Sequence, residues 1–304
     1  MEVRLFVVVV TYKGKQWYER CFSSLQKSSF PVQVIVVDNA SKDGSVEFIR
    51  QRFPEFHVIE SDENLGFGKA NNIGIRYALH HSCDYVFLLN QDAWIESDTI
   101  EVMVRIHQHN KQFGILSPIH LTIEKNRIEK GLINYLADCR VTDKTLFEDL
   151  FFERIKEVYE THYVNAAAWL LPKKTLETIG GFDPIFHHYG EDDNYIHRVL
   201  FHNLKIGICP TCYIVHDTER RIESESGFLQ TMDKVFLAEL TNINVPLNLS
   251  LIGLYHFKKM IFKMMSLDFQ QMRFHGNRLL FLLKHKTDIV NSRKHNIVMG
   301  MNWL

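Results

Sequence analysis

The chain has 304 residues and is 46% apolar, enough to bury one sizeable core, so one main domain with an appendage is expected. Its 35 Lys and Arg against 36 Asp and Glu leave a formal charge of −1, which gives no electrostatic reason to expect a nucleic-acid partner. Five cysteines without a secretion signal argue against a disulfide framework and for free thiols in the cytoplasm.

In chain order, residues 5–10 form a six-residue apolar run followed by polar Thr11-Tyr12-Lys13. That is too short for a signal peptide or a membrane span, and no later run reaches the roughly eighteen apolar residues a spanning helix needs. It reads as a buried strand, with residues 33–37, 57–59 and 85–89 as further strands. Residues 15–27, 45–52 and 68–80 carry helical spacing, and Ser41 to Ser45 supply turn and cap chemistry. The alternation predicts an α/β fold, a mainly parallel sheet flanked by helices.

In such sheets ligands gather at the carboxyl ends of the strands. Those ends carry Thr11 and Tyr12, Asp38 and Asn39, Glu63 to Gly68, and Asn90, Gln91 and Asp92. Each has a local reading as well: an Asx turn at Asp38, a tight loop at Gly66, a helix cap at Asp92. The glycines follow the third strand instead of the first, which argues against a dinucleotide fingerprint.

Residues 119–159 have mixed charge and weak periodicity, and are expected to form an acceptor-side excursion with an amphipathic piece over 146–159. Residues 164–172 read as a strand in which Trp169 is either a platform for an acceptor sugar or core packing. A short helix over 173–179 ends at Gly180-Gly181, and Glu191-Asp192-Asp193 open the next, where the helix dipole favours acids. Cys209 and Cys212 lack the second pair a zinc site needs and read as buried thiols flanking a turn. From about 222 the chain turns helical and basic. Nine Lys and Arg between 254 and 304 face only Asp268 and Asp288, interleaved with Phe257, Met260, Ile261, Phe262, Met264 and Leu267. The boundary is set at 1–220 and 221–304, and the extension reads either as a peripheral contact with the inner face of a membrane or as a solvated basic face.

The segments Val9 to Tyr12, Val36 to Ser41, Asn64 to Gly68, Leu88 to Ala93, Gly180 to Asp183 and Gly190 to Asp193 resemble, in order, the motifs of family 2 glycosyltransferases, specifically a rhamnosyltransferase-like subgroup. The likeness spans residues 3 to about 217. It implies the GT-A nucleotide-diphospho-sugar transferase fold and inverting transfer to a glycan or lipid-linked glycan in cell-surface polysaccharide synthesis. The implied donor is dTDP-rhamnose first and a UDP-hexose otherwise. Thr11, Tyr12, Asp38, Asn39, Gly66, Lys69, Asn72, Asn90 and Gln91 then fall on the nucleotide-sugar side, with Asp38 accepting a hydrogen bond from a pyrimidine. Asp92 corresponds to the acid that holds Mg²⁺ or Mn²⁺, His216 to a second metal or diphosphate ligand, and Asp192, with Glu191 beside it, to the general base. His187 and His188 precede the acid pair, near the donor sugar.

Physical chemistry supports those roles: a divalent cation offsets charge on a leaving diphosphate, and inversion needs one carboxylate in reach of the acceptor hydroxyl. Asn90 stands where the family's metal motif has its first acid. That departure leaves open a non-catalytic nucleotide-sugar-binding or scaffold protein. A nucleotidyltransferase needs a glycine-rich basic loop after strand one, where only Gly14 occurs.

Overall fold

Successive side chains of β1 (Leu5–Thr11) face opposite ways. Leu5, Val7 and Val9 join one apolar cluster while Phe6 and Val8 join another, as a strand's period of two requires. Helices must therefore cover both faces, and in the computed structural model, which describes residues 3–137, 142, 143, 145–218 and 225–304, they do.

The elements follow as α1 (Lys15–Gln26), β2 (Gln33–Asp38), α2 (Ser45–Arg52), β3 (His57–Glu60), α3 (Phe67–His80), β4 (Tyr85–Asn90), β5 (Ala93–Ile95) and α4 (Thr99–His109). Next come β6 (Phe113–Leu121), α5 (Lys130–Ala137), α6 (Leu146–Phe151), β7 (Tyr159–Thr161), β8 (Ala168–Pro172), α7 (Lys173–Ile179), α8 (Glu191–Phe201) and β9 (Lys205–His216). Three helices complete the described chain: α9 (Glu225–Thr241), α10 (Leu249–Met265) and α11 (Phe269–Ile297).

The strands of the described residues form one sheet in the order β3-β2-β1-β4-β8-β6-β9-β5, with β7 also pairing β9. β3, β2, β1 and β4 run parallel, so their carboxyl ends lie together, while β8 enters antiparallel between β4 and β6. Tyr18, Phe22 and Leu25 of α1 and Ile100 and Met103 of α4 cover one face. Ala70, Ile75 and Ala78 of α3, Leu176 of α7 and Tyr195 and Val199 of α8 cover the other. Each such fully buried large side chain contributes about 1.5–3 kcal/mol.

One expectation changes. The amphipathic piece over 146–159 shortens to α6, which ends on exposed Phe151 with exposed Phe152 as its C-cap. The expected 220/221 boundary lies outside the described residues, and the helices beyond it are tied to the sheet domain. Phe186 shares a cluster with Leu237, Leu240, Leu282 and Ile289, and Leu304 packs against the α3–α8 face. Ser292 and Asn296 of α11 both donate to Asp183 Oδ2, at 2.6 and 2.9 Å. Gly181 N donates to Asn302 O at 2.8 Å, and a Cβ at Gly180, whose φ is +78°, would lie 1.9 Å from that oxygen. Only glycine fits there.

No helix among the described residues is long and apolar enough to cross a membrane. Cys21, Cys83, Cys209 and Cys212 are buried free thiols; Cys139 lies outside the described residues.

Candidate active site

At the carboxyl ends of β1 and β2, side chains first organise the backbone. Thr11 Oγ1 and Ser41 Oγ donate to Asp38 Oδ1 at 3.0 and 2.6 Å, and Ser41 N donates to Oδ2 at 2.9 Å. The buried Asp38 carboxylate thus closes an Asx turn, and a bound base would have to use its remaining lone pairs. Asn39 takes hold of the loop after β3: its amide donates to Asn64 Oδ1 at 2.9 Å and accepts from Leu65 N at 2.8 Å. Gly66, with φ +80°, lets that loop lie against His187, whose carbonyl oxygen would be 1.7 Å from an added Cβ.

Gln91 brackets the Tyr12 backbone, its Oε1 accepting from Tyr12 N at 2.9 Å and its Nε2 donating to Tyr12 O at 3.1 Å. The Tyr12 ring is left 39% exposed at the mouth of the site. Asn90 is half-buried, and its N–H donates to Ala167 O at 2.9 Å. Lys69 sits half-buried in the first turn of α3.

Two expected ligand contacts are not available as such. Asn72 is buried 110 residues along the chain from its partner Phe182, accepting from Phe182 N at 2.7 Å and donating to Phe182 O at 2.8 Å, so its amide locks α3 to the following turn instead of facing a nucleotide. Trp169 is 0% exposed, stacked on Phe182 at 6.2 Å and packed beside Tyr195, so its ring has no face to offer an acceptor sugar. Its strand is buried along its whole length, which makes an alternating outward face impossible.

Beyond β4 the chain brings Asp92 against the end of β9. His216 Nε2 stands 3.5 Å from Asp92 Oδ1, and Asp217 N donates to Asp92 O at 2.9 Å. His216 Nδ1 is 3.2 Å from Glu129 Oε2, an oxygen that is also 3.4 Å from His120 Nδ1. All four side chains are buried. Burial pushes the Glu129 carboxyl up, but hydrogen bonds from His120 and His216 outweigh it and hold the group well below the usual carboxylate range. Burial would lower His216, yet Asp92 and Glu129 on either side raise it to about 9. His216 Nε2 and Asp92 Oδ1 are paired within this buried cluster, and an imidazole nitrogen beside a carboxylate oxygen suits Mn²⁺ or Mg²⁺, which would displace the ring proton and leave positions for phosphate oxygens.

The second acid cluster opens α8 after Gly190, whose φ is +88°. Glu191 is driven up to about 7, first by burial and then by the charge of Asp192, and its Oε2 is buried without a hydrogen bond. Asp192 is also raised, by burial, against the pull of a hydrogen bond that Tyr163 OH donates to its Oδ2 at 3.0 Å. The Ala166 N–H also lowers it, and since Ala167 O holds Asn90 N, one short loop touches both the metal motif and the acid pair. A Cβ at Gly68 would lie 3.7 Å from Glu191 Cβ, so the glycine loop runs directly past the acids. His187 reaches Asn64 O at 3.1 Å, and His188 stacks near Tyr189.

Glu129, His120 and Tyr163 did not figure in the sequence reading. His120 lies near the carboxyl end of β6, where the strand-end rule could have found it; Glu129 and Tyr163 sit in segments without periodicity. A separate cleft of about 670 Å³, lined by Phe6, Gln33 and His57, opens at the amino ends of the parallel strands, away from these groups.

Comparison with known proteins fits this geometry. The family model described as glycosyl transferase family 2 matches residues 6–175. The low-salt glycan biosynthesis hexosyltransferase Agl10 of Haloferax volcanii is 25% identical over 246 residues, covering 77% of this chain and 75% of that protein. The dTDP-rhamnosyl transferase RfbF of Shigella flexneri is 21% identical over 299 residues, covering 98% of this chain and 92% of its own. The mannosyltransferase PcManGT from Pyrobaculum calidifontis, solved with GDP-Man and Mn²⁺, superposes with a TM-score of 0.56 at 18% identity, over 80% of this chain and 64% of that one. That last likeness is one of fold, the GT-A arrangement of sheet and helices.

Proposed function

Because the chain belongs to glycosyl transferase family 2, we propose that it is a cation-dependent inverting transferase acting on a nucleoside diphosphate sugar. The donor is dTDP-rhamnose first and a UDP-hexose otherwise, and the acceptor is a glycan or lipid-linked glycan of a cell-surface polysaccharide. One observation carries the reading: two distinct acid clusters are present, Asp92 with His216 beyond the ends of β4 and β9, and Glu191 with Asp192 at the start of α8. The dTDP-rhamnosyl transferase relative supports the donor, and Mn²⁺ in the mannosyltransferase supports the cation.

In this reading Tyr12 lies against the base, while Asn39 and Gln91 hold the loops around it. A cation held by Asp92 and His216 would offset the charge that grows on the departing diphosphate. Asp192 takes the proton of the acceptor hydroxyl as that oxygen bonds to the anomeric carbon from the face opposite the diphosphate. The anomeric carbon–oxygen bond breaks and its electron pair leaves with the phosphate. A half-buried acid with a raised proton affinity suits that role.

Calorimetric titration of the full chain with dTDP, UDP and GDP, with and without Mn²⁺, tests the donor side. Binding of one pyrimidine diphosphate that strengthens with Mn²⁺ and loses that strengthening in Asp92→Ala is the expected result; no binding to any of the three ends the reading.

We further place the protein at the cytoplasmic face of a membrane, resting on the α10–α11 hairpin. Phe262, Met265, Leu267 and Phe269 are exposed at its tip, with Met265 at 76%, and Lys258, Lys259 and Arg273 lie exposed nearby. Sedimentation with phosphatidylglycerol liposomes should fall sharply in the double variant Phe262→Glu, Leu267→Glu; unchanged partitioning removes the lipid contact.

A further inference from the structure

The loop between β6 and α5 performs a task that neither the donor pocket nor the acid pair explains: it carries a carboxylate into a buried position behind His216. The chain turns back after β6, with Thr122 N donating to Arg127 O at 2.9 Å and Leu121 bridging Ile128. Glu129 N then donates to His120 O at 2.8 Å, which plants the Glu129 side chain over the strand end. Its Oε1 packs over Gly131, where an added Cβ would lie 2.8 Å away, so residue 131 is kept small beneath it. Burying a carboxylate is costly unless partners satisfy it, and here its Oε2 is set between two imidazoles.

Resting on the reading of Asp92 and His216 as cation ligands, we propose that Glu129, backed by His120, is the positioning group that fixes the ring and tautomer of His216 for metal binding. An imidazole binds a metal through an unprotonated nitrogen, and a carboxylate accepting from the other nitrogen selects that tautomer and orients the ring. Glu129 Oε2, 3.2 Å from His216 Nδ1, is that carboxylate. On the opposite edge of the ring the buried Nε2 faces Asp92 Oδ1 at 3.5 Å, the other half of the cation pair. His120 holds Glu129 in turn and is itself anchored by its Nε2 at 3.2 Å from Ser117 Oγ. The contact between Glu129 and His216 joins residues 87 apart in sequence, so it ties the loop after β6 to the end of β9 at the cation position.

The test is Mn²⁺ affinity in the presence of dTDP, followed by the electron paramagnetic resonance signal of free Mn²⁺, on the full chain and on Glu129→Ala, Glu129→Gln, His120→Gln and Asp92→Ala. Glu129→Ala should weaken Mn²⁺ by about 10–100-fold, with metal-free dTDP affinity unchanged. Glu129→Gln keeps an acceptor of the same shape and should lose less, about 3–10-fold, which carries the test if the alanine variant folds poorly. Nitrogen-15 spectra of the histidine rings with Mg²⁺ and dTDP should show His216 protonated at Nδ1 in the wild type and as a tautomer mixture in Glu129→Ala. Unchanged Mn²⁺ affinity in both Glu129 variants overturns the proposal while leaving the Asp92–His216 reading intact. A loss in His120→Gln as large as that in Asp92→Ala also overturns it, because His120 would then be a ligand itself, with the cation seated among His120, Glu129 and His216, whose ligand atoms lie within 4.8 Å of one another. Wild-type protein that fails to bind Mn²⁺ with dTDP overturns both readings together.

Discussion

The cluster around Asp92 and the cluster around Asp192 are both buried and both acidic, yet their proton chemistry runs in opposite directions. Around Asp92 each carboxylate faces an imidazole, and the shared charge keeps Glu129 ionised even though it is buried. At the start of α8 two carboxylates face each other, and the charge of Lys234 offsets only a small part of the rise at Glu191. Burial is the same force in both places; the partner decides whether a carboxyl's proton affinity ends below its ordinary value, as at Glu129, or above it, as at Glu191.

The largest effect should come from removing Asp192, the proposed proton acceptor. Asp192→Asn is expected to lower transfer by about 10²–10⁴-fold while melting temperature and nucleotide binding stay near wild type. Substantial residual turnover, measured with dTDP-rhamnose and Mn²⁺, would move the base role elsewhere and break the comparison.

A stability measurement sharpens it. Glu191 holds its proton to about pH 7 when folded, against an ordinary value of 4.5. Between those pH values the folded state binds more protons than the unfolded one, so this group makes stability fall as pH rises, and above about pH 7 the whole penalty is present. Glu191→Gln should therefore match wild type near pH 4 and exceed it at pH 8 by up to about 3 kcal/mol in urea unfolding. A variant less stable than wild type at both pH values would mean that the ionised Glu191 is compensated after all.

The smallest effect belongs to Tyr163, whose hydroxyl lowers Asp192. Losing that one hydrogen bond in Tyr163→Phe should shift the acidic limb of the pH–rate profile upward. A limb that stays in place would separate the profile from Asp192.

What the sequence made legible follows the same division. The four parallel strands were found to within a residue because each is an apolar run ending in polar side chains, and their order fixes where the ends meet. Asp92 and His216 could be paired through family likeness. Glu129 could not, because its partner is 87 residues away and its own segment carries no periodic signal. Asn72 shows the converse error, an amide expected at the ligand but spent on backbone locking, and Trp169, readable as sugar platform or core, is core. An amide or an indole in a motif announces a strong local need, and only the fold says whether a ligand or the protein itself fills it.

The grip of Ser292 and Asn296 on Asp183 gives α11 a further mechanical meaning. The turn that leads into Glu191 and Asp192 is fastened near one end of this 29-residue helix, and the exposed apolar tip lies at the other. At about 1.5 Å per residue, the strut holds the two about 35 Å apart. It is a ruler: for any surface the tip engages, its length sets how far the turn before Glu191 and Asp192 stands from that surface.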